Sequence, residues 1–245
     1  MTLLSSGDSL SVHRKLLEEL IEDPSRLGPD FQPIRTLDGD RLVGYKATGS
    51  GQAGTELANT LALLDSAKSS GLVPRLDWAF RCHTFDVAVA AGLTSELHLT
   101  PETETFLAPC PPRLTTSFGR GRRSLKIVAE LHDDGFEAGL PTEAAVAEWR
   151  GWGWGLVVTD ILSLLMAEGD GFLRRLEGLR PDAVAIDLSR PGRTAGKEQL
   201  VAWAKSASVP LHAHGVHSAV ALSEARALGA VAARGRLIGM PGALP

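Results

Sequence analysis

The chain has 245 residues, 44% of them apolar and 22% charged, with a formal net charge of −4. That length suits one sizeable domain with its own core, and a single β/α barrel commonly has it. The acidic balance gives no electrostatic footprint for nucleic acid, no apolar run approaches the roughly 20 residues that cross a bilayer, and the N-terminus lacks the order of a signal peptide. The expectation is therefore a cytoplasmic protein, one domain over residues 1–245, with no nucleic-acid or membrane partner. Cys82 and Cys110 are too few and too far apart for a disulfide framework or a Cys-only metal site.

In chain order, SVHRKLLEELIE (11–22) places Val12, Leu16, Leu17, Leu20 and Ile21 on one helical face, and Pro24 bounds the helix. FQPIRTLDGDRLVGYKA (31–47) reads as strand, turn at Asp38-Gly39, strand. GTELANTLALLDSAKSSG (54–71) and LDWAFRCHTFDVAVAAG (76–92) read as helices closing on Gly71 and Gly92. Arg120, Arg122 and Arg123 read as a solvated turn. Five short β-rich runs follow at intervals: ELHLTP (96–101), LKIVAEL (125–131), GLVVTD (155–160), DAVAID (182–187) and VPLHAHG (209–215). Each is continuous enough to be covered on both faces, the mark of parallel strands under helices. Asp160, Asp187 and His214 are each 27 residues apart, close to one βα unit. No Gly-x-Gly-x-x-Gly loop follows a strand, so a closed barrel is favoured over a dinucleotide-binding sheet. In such a barrel the strand ends gather at one mouth, where ligands bind. His98, Glu130, Asp160, Asp187, His214 and Arg234 all stand at strand ends.

These segments resemble, in order and near the right spacing, the bacterial EAL domain, the cyclic di-GMP phosphodiesterase fold. FQPIRTLDGDRLVGYKA is similar to its opening, where a Gln-Pro-Ile strand turns back into the strand carrying Glu-Ala-Leu. GLVPRLDWAF, LHLTP, IVAELHD, LVVTDI, RPDAVAID, LHAHGVHS and LGAVAARGRLIGMP resemble the successive motifs that follow, from about residue 11 to residue 241. The resemblance implies a (β/α)8 TIM-like barrel of EAL type, its first strands hairpin-like and one strand antiparallel.

It also implies a dismantled site. The family's reaction is metal-assisted attack of water on a phosphodiester, and hard dications want oxygen ligands. By resemblance Lys46 replaces the glutamate of the name-giving motif, His98 an asparagine, and Thr159 the first of two paired aspartates. Ala185 replaces a lysine, His214 and His217 replace glutamates, and Arg234 a glutamine. Glu130 and Asp160 remain, and Asp133 stands in for a second glutamate. Gln32 and Asp77 match residues that contact a guanine, although hydrogen bonds to a strand and a helix cap explain them as well. Ser50 takes the place of a phosphate-gripping arginine. ILSLLMAEGDG (161–171) is apolar, lacks the early glycines of the family's coupling loop and reads as helix.

The expectation is a degenerate EAL-like regulatory protein with no catalytic residues, no bound metal and no cofactor, acting through a protein partner, with a homodimer compatible with it. One alternative is a receptor for cyclic di-GMP or another phosphorylated nucleotide. Its candidate pocket at the barrel mouth is Gln32, Lys46, Asp77, His98, Glu130, Asp160, His214, His217 and Arg234. A second alternative is a repurposed metal-dependent hydrolase, with His98, Glu130, Asp160 and His214 around one Zn²⁺-like ion.

Overall fold

The computed structural model describes residues 6–137, 142–189 and 196–245. Eight strands close into a barrel in chain order: β1 (Gly28–Thr36), β2 (Leu42–Ser50), β3 (Glu96–Leu99), β4 (Lys126–Leu131), β5 (Gly155–Thr159), β6 (Ala183–Asp187), β7 (Leu211–His214) and β8 (Ala232–Ala233). Strand β1 runs antiparallel to both its neighbours, β2 and β8, and every other pairing is parallel. The expected barrel with one reversed strand is therefore present.

The helices are α1 (Ser6–Glu22), α2 (Thr60–Ser70), α3 (Val73–Ala90), α4 (Thr115–Ser124), α5 (Asp134–Glu137), α6 (Thr142–Gly151), α7 (Leu162–Glu168), α8 (Asp170–Leu179), α9 (Lys197–Ser206) and α10 (Ala219–Ala227). Helix α2 starts six residues later than its sequence pattern reads, because the Asn59 side chain accepts from the Ala62 amide at 2.8 Å and caps it there. In α1, Leu17, Leu20 and Ile21 are fully buried, whereas Val12 is exposed, so the apolar face is shorter than its spacing implies. The arginine-rich segment is not a turn. It lies in α4, where Arg120 pairs with Asp86 and Arg122 sits over Phe118 and Trp152. Residues 162–168 and 170–179 are helical, as the absence of early glycines suggests, with a break at Gly169, where φ is +56°.

Strand alternation divides the core into two layers. Leu97, Leu99, Ile127, Leu131, Leu156, Val158, Val184, Ile186, Leu211 and Ala213 pack outward into one large apolar cluster with the helices. The intervening positions point into the barrel. Its apolar interior layer is small, made of Val128, Val157, Ala183 and Ala185. Further inward positions are polar and buried, among them Lys46, His98, Glu130, Thr159, His212 and His214. A barrel interior with that composition must satisfy its polar groups internally.

Candidate functional site

Glu130, at inward position five of β4, is the hub. Its carboxylate is wholly buried and is held from three sides. Lys46 Nζ on β2 and Arg234 NH2 beyond β8 both lie 3.0 Å from Oε2, and His98 Nδ1 on β3 lies 3.2 Å from Oε1. The same His98 ring presents Nε2 to Glu96 Oε2 at 3.0 Å. Two carboxylates on opposite nitrogens are satisfied together only when both nitrogens carry protons, which favours imidazolium. Burial disfavours that charge, but the hydrogen bonds to Glu130 and Glu96 outweigh it and raise the His98 pKa. Burial also works against ionised Glu130, yet the charges of Arg234 and Lys46 hold its carboxyl well below the usual range. Lys46 is brought down to about 8 by burial, against the opposing pull of Glu130, and so stays charged at neutral pH.

His214 completes the cluster. Arg234 NH2 lies 2.9 Å from its Nδ1, and because a guanidinium only donates, that nitrogen is an acceptor and the ring is neutral. Burial, then Arg234, depresses its pKa well below the ordinary value, in agreement with the geometry. Thr159 Oγ1 lies 3.3 Å from the same nitrogen. Arg234 reaches this position because the chain turns sharply after it. At Gly235 φ is +154°, and a Cβ there would lie 2.2 Å from the Val216 carbonyl oxygen, so only glycine fits.

Five of the nine expected pocket residues, Lys46, His98, Glu130, His214 and Arg234, thus form one contiguous network. Asp160 pairs with His132 at 3.3 Å. His132 in turn meets Thr100 at 3.3 Å, and the Thr100 hydroxyl accepts from Lys46. Asp133 is turned outward to Ser163, and Ser50 donates to the Gly28 carbonyl. His217 is exposed, its Nδ1 accepting from the Arg236 amide at 3.1 Å, so it fastens a surface loop and is not in the cluster. Gln32 donates to the Gly239 carbonyl at 3.1 Å. Asp77 is not a helix cap. It lies inside α3, buried, paired with Arg81 and accepting from the Glu102 amide at 3.3 Å.

Two members, Glu96 and Thr100, went unrecognised in the sequence, and His212, part of the LHAHGVHS run, was not among the expected pocket residues. Glu96 and His212 lie two residues before His98 and His214 on the same strands, so period-two alternation was the available signal. His212 is neutral, pushed down to about 4 by burial and by nearby His98, and its buried Nδ1 has no hydrogen-bond partner.

A cavity of about 150 Å³ lies beside the cluster, between the ends of β2 and β3 and helices α2 and α3. Lys46, Asp77, Arg81, Thr100 and Glu102 supply its polar lining, and Leu63, Leu76 and Phe80 are among its apolar walls. Burial and neighbouring Asp77 push the Glu102 carboxyl up to about 7. Ligand pockets commonly run from about 300 Å³ upward, so this cavity is too small to enclose a nucleotide. For metals the arrangement is unfavourable. Two unit charges 4 Å apart repel by about 4 kcal/mol at an effective dielectric of 20, so a dication at Glu130 meets about 8 kcal/mol from each of Lys46 and Arg234. Among the described residues no three His, Cys, Asp or Glu side chains are placed to hold a metal ion together. Nor, among them, is any helix long and apolar enough to cross a membrane.

No protein family matches the chain in sequence, and no curated protein does so either. Solved structures do. The FimX EAL domain of Xanthomonas citri in complex with c-di-GMP is similar over 98% of this chain and 97% of that one, at 15% identity and a TM-score of 0.78. The PaMucR phosphodiesterase in complex with c-di-GMP is similar over 93% and 97%, at 18% identity and a TM-score of 0.69. The cGMP-bound EAL enzyme Bd1971 is similar over 98% of this chain and 68% of its own, at 17% identity and a TM-score of 0.71. Eight strands in one closed barrel, the first reversed, together with these likenesses, give this chain the fold of the EAL domains.

Proposed function

We propose that the chain is a degenerate EAL-like module without phosphodiesterase activity, which acts in signalling through contacts with another protein. The observation that carries this reading is the state of Glu130. In a two-metal site such a carboxylate would bind cations, whereas here Lys46, Arg234 and His98 already occupy it. With Glu96 included, the cluster holds three positive and two negative charges. It needs no ion to be satisfied, and it repels a dication.

Exposed apolar side chains are available for such contacts, Leu61, Leu107, Met166 and Met240 among them, all on segments that follow a strand.

A second reading has an observation of its own. The net positive cluster of Lys46 and Arg234 suits a phosphate, so a phosphorylated nucleotide, cyclic di-GMP among them, could rest over the mouth without metal. The small adjoining cavity and the acidic pair Asp77 and Glu102 count against deep insertion of a base. Calorimetric titration of untagged protein with cyclic di-GMP, with and without Mg²⁺, separates these readings. No heat of binding in either condition is expected. Saturable binding without metal would favour the receptor, and binding that requires Mg²⁺ would overturn both.

A further inference from the structure

Helix α3 carries a second cluster, on the side away from the barrel mouth. Trp78 Nε1 donates to the Ala108 carbonyl at 2.9 Å, and one helical turn later Cys82 Sγ lies 3.8 Å from the Leu114 carbonyl oxygen. The segment 108–114 is therefore held along α3 at both its ends, and Cys110 falls between the two anchors. Its side chain packs into the apolar cluster to which Cys82 belongs. The two thiols are neighbours there, and Cys110 Sγ lies 3.7 Å from the Pro111 carbonyl oxygen. Twenty-eight residues apart in sequence, they are neighbours in the fold, which corrects the reading that their separation keeps them apart.

The two cysteines differ in the way a reactive pair requires. Cys82 is 1% exposed, while Cys110 is half-buried on a loop between two prolines, Pro109 and Pro111. Cys82 Sγ donates to the Leu114 carbonyl, and the charge of the buried Arg81 guanidinium near the pair favours thiolate at Cys110. Burial still holds the Cys110 thiol above its ordinary value and Cys82 far above it, so attack is slow at neutral pH and speeds up as pH rises.

We propose that Cys82 and Cys110 are a modification site, a thiol pair that a low-molecular-weight disulfide such as oxidised glutathione converts to an intrachain disulfide. The Cys110 thiolate attacks one glutathione sulfur, the glutathione S–S bond breaks, and one glutathione thiolate leaves and takes up a proton. Cys82, losing its proton to solvent, then attacks Cys110 Sγ. The Cys82–Cys110 bond forms and the second glutathione departs as a thiol. Two protein thiols are oxidised and one glutathione disulfide is reduced to two thiols. The bond covalently fixes to α3 the loop that carries exposed Leu107.

The test is mild oxidation of the folded protein with oxidised glutathione at pH 8, quenching with N-ethylmaleimide under denaturing conditions, and mass spectrometry. No Lys or Arg lies between Arg81 and Arg113, so both cysteines share the tryptic peptide 82–113. Its mass should fall by two hydrogens, with neither maleimide nor glutathione attached, and reduction should reverse the change. In Cys82→Ala the reaction should stop at a stable glutathione adduct on Cys110, and in Cys110→Ser Cys82 should remain free. The proposal is overturned if wild-type protein keeps both thiols alkylatable, if it stops at an adduct on Cys110, or if the disulfide forms between chains on a non-reducing gel. Should Cys82→Ala fail to fold, the wild-type peptide and Cys110→Ser still decide the matter.

Discussion

Glu130→Gln removes one negative charge from the centre of the barrel and leaves the shape almost unchanged. In the wild type, Lys46 and Arg234 each lie 3.0 Å from Oε2, a Coulomb attraction of about 5–6 kcal/mol apiece at an effective dielectric of 20. Most of that offsets the cost of burying the charges, so the net loss on breaking such a buried group is about 3–5 kcal/mol. Lys46 limits the loss from above. Its pKa is already about 8, and without Glu130 it sheds its proton at neutral pH, which relieves its repulsion with Arg234. For a chain of this size, 1 kcal/mol shifts the melting temperature by about 2–4 °C, so a fall on the order of 10 °C is expected. Urea unfolding followed by circular dichroism measures the free energy directly, with an unchanged slope confirming an intact fold. Adding Lys46→Met to Glu130→Gln should recover about 1–3 kcal/mol relative to the sum of the single variants, because the two residues act on each other. A loss under about 1 kcal/mol for Glu130→Gln, or strictly additive effects, would refute the claim that cationic side chains hold Glu130 in place of metal.

Acid should destabilise the protein through His212, whose native pKa is about 4. Between about pH 6.5 and pH 4 the unfolded chain takes up a proton that the native state refuses, so stability falls as pH falls, by on the order of 3 kcal/mol. His212→Gln should flatten melting temperature against pH across that window, while an unchanged slope would show that another group controls it. His98 works in the opposite sense: its raised pKa adds stability that is complete below its unfolded value and lost as pH rises through the native one. Gly44→Ala places a Cβ 2.3 Å from the Glu96 carbonyl oxygen, so the β2–β3 pairing must shift at a cost of about 1–3 kcal/mol. Denaturant unfolding reads that cost, and neutrality would mean that β3 can move freely. Millimolar Mg²⁺ or Mn²⁺ should leave the melting temperature unchanged, whereas a rise that grows with metal concentration would reveal a native-state site.

The barrel was legible because its signal is repeated. β-rich runs at near-constant spacing, with a hairpin before them, define the architecture even though boundaries such as the start of α2 depend on a local cap at Asn59. The cluster around Glu130 was legible in part, since residues at strand ends must converge in a closed barrel. What the sequence could not convey was direction and partner choice. His217 lies three residues from His214 yet faces solvent, because β7 ends at His214 and alternation stops there. Asp160 follows β5 with φ at +58°, and its carboxylate pairs with His132. Asp77 is visible as an acid on α3, and its pairing with Arg81 one helical turn on is legible only as an i, i+4 spacing. Cys82 and Cys110 show the same limit for long-range contacts, which depend on how α3 and the loop before α4 pack.

The central claim concerns chemistry, and a hydrolysis assay tests it most directly. Purified protein is incubated with cyclic di-GMP and excess Mg²⁺ or Mn²⁺ from about pH 6 to pH 9, spanning the ordinary histidine range and the depressed Lys46 value, and linear and mononucleotide products are quantified. With Lys46 and Arg234 in place of cations, nothing offsets the charge that develops on the phosphoryl and leaving oxygens. No product is expected from the wild type, and none from Lys46→Glu, because one restored carboxylate does not rebuild groups that act as a unit. Product formation that scales with protein concentration and disappears on chelation of the metal would contradict the account.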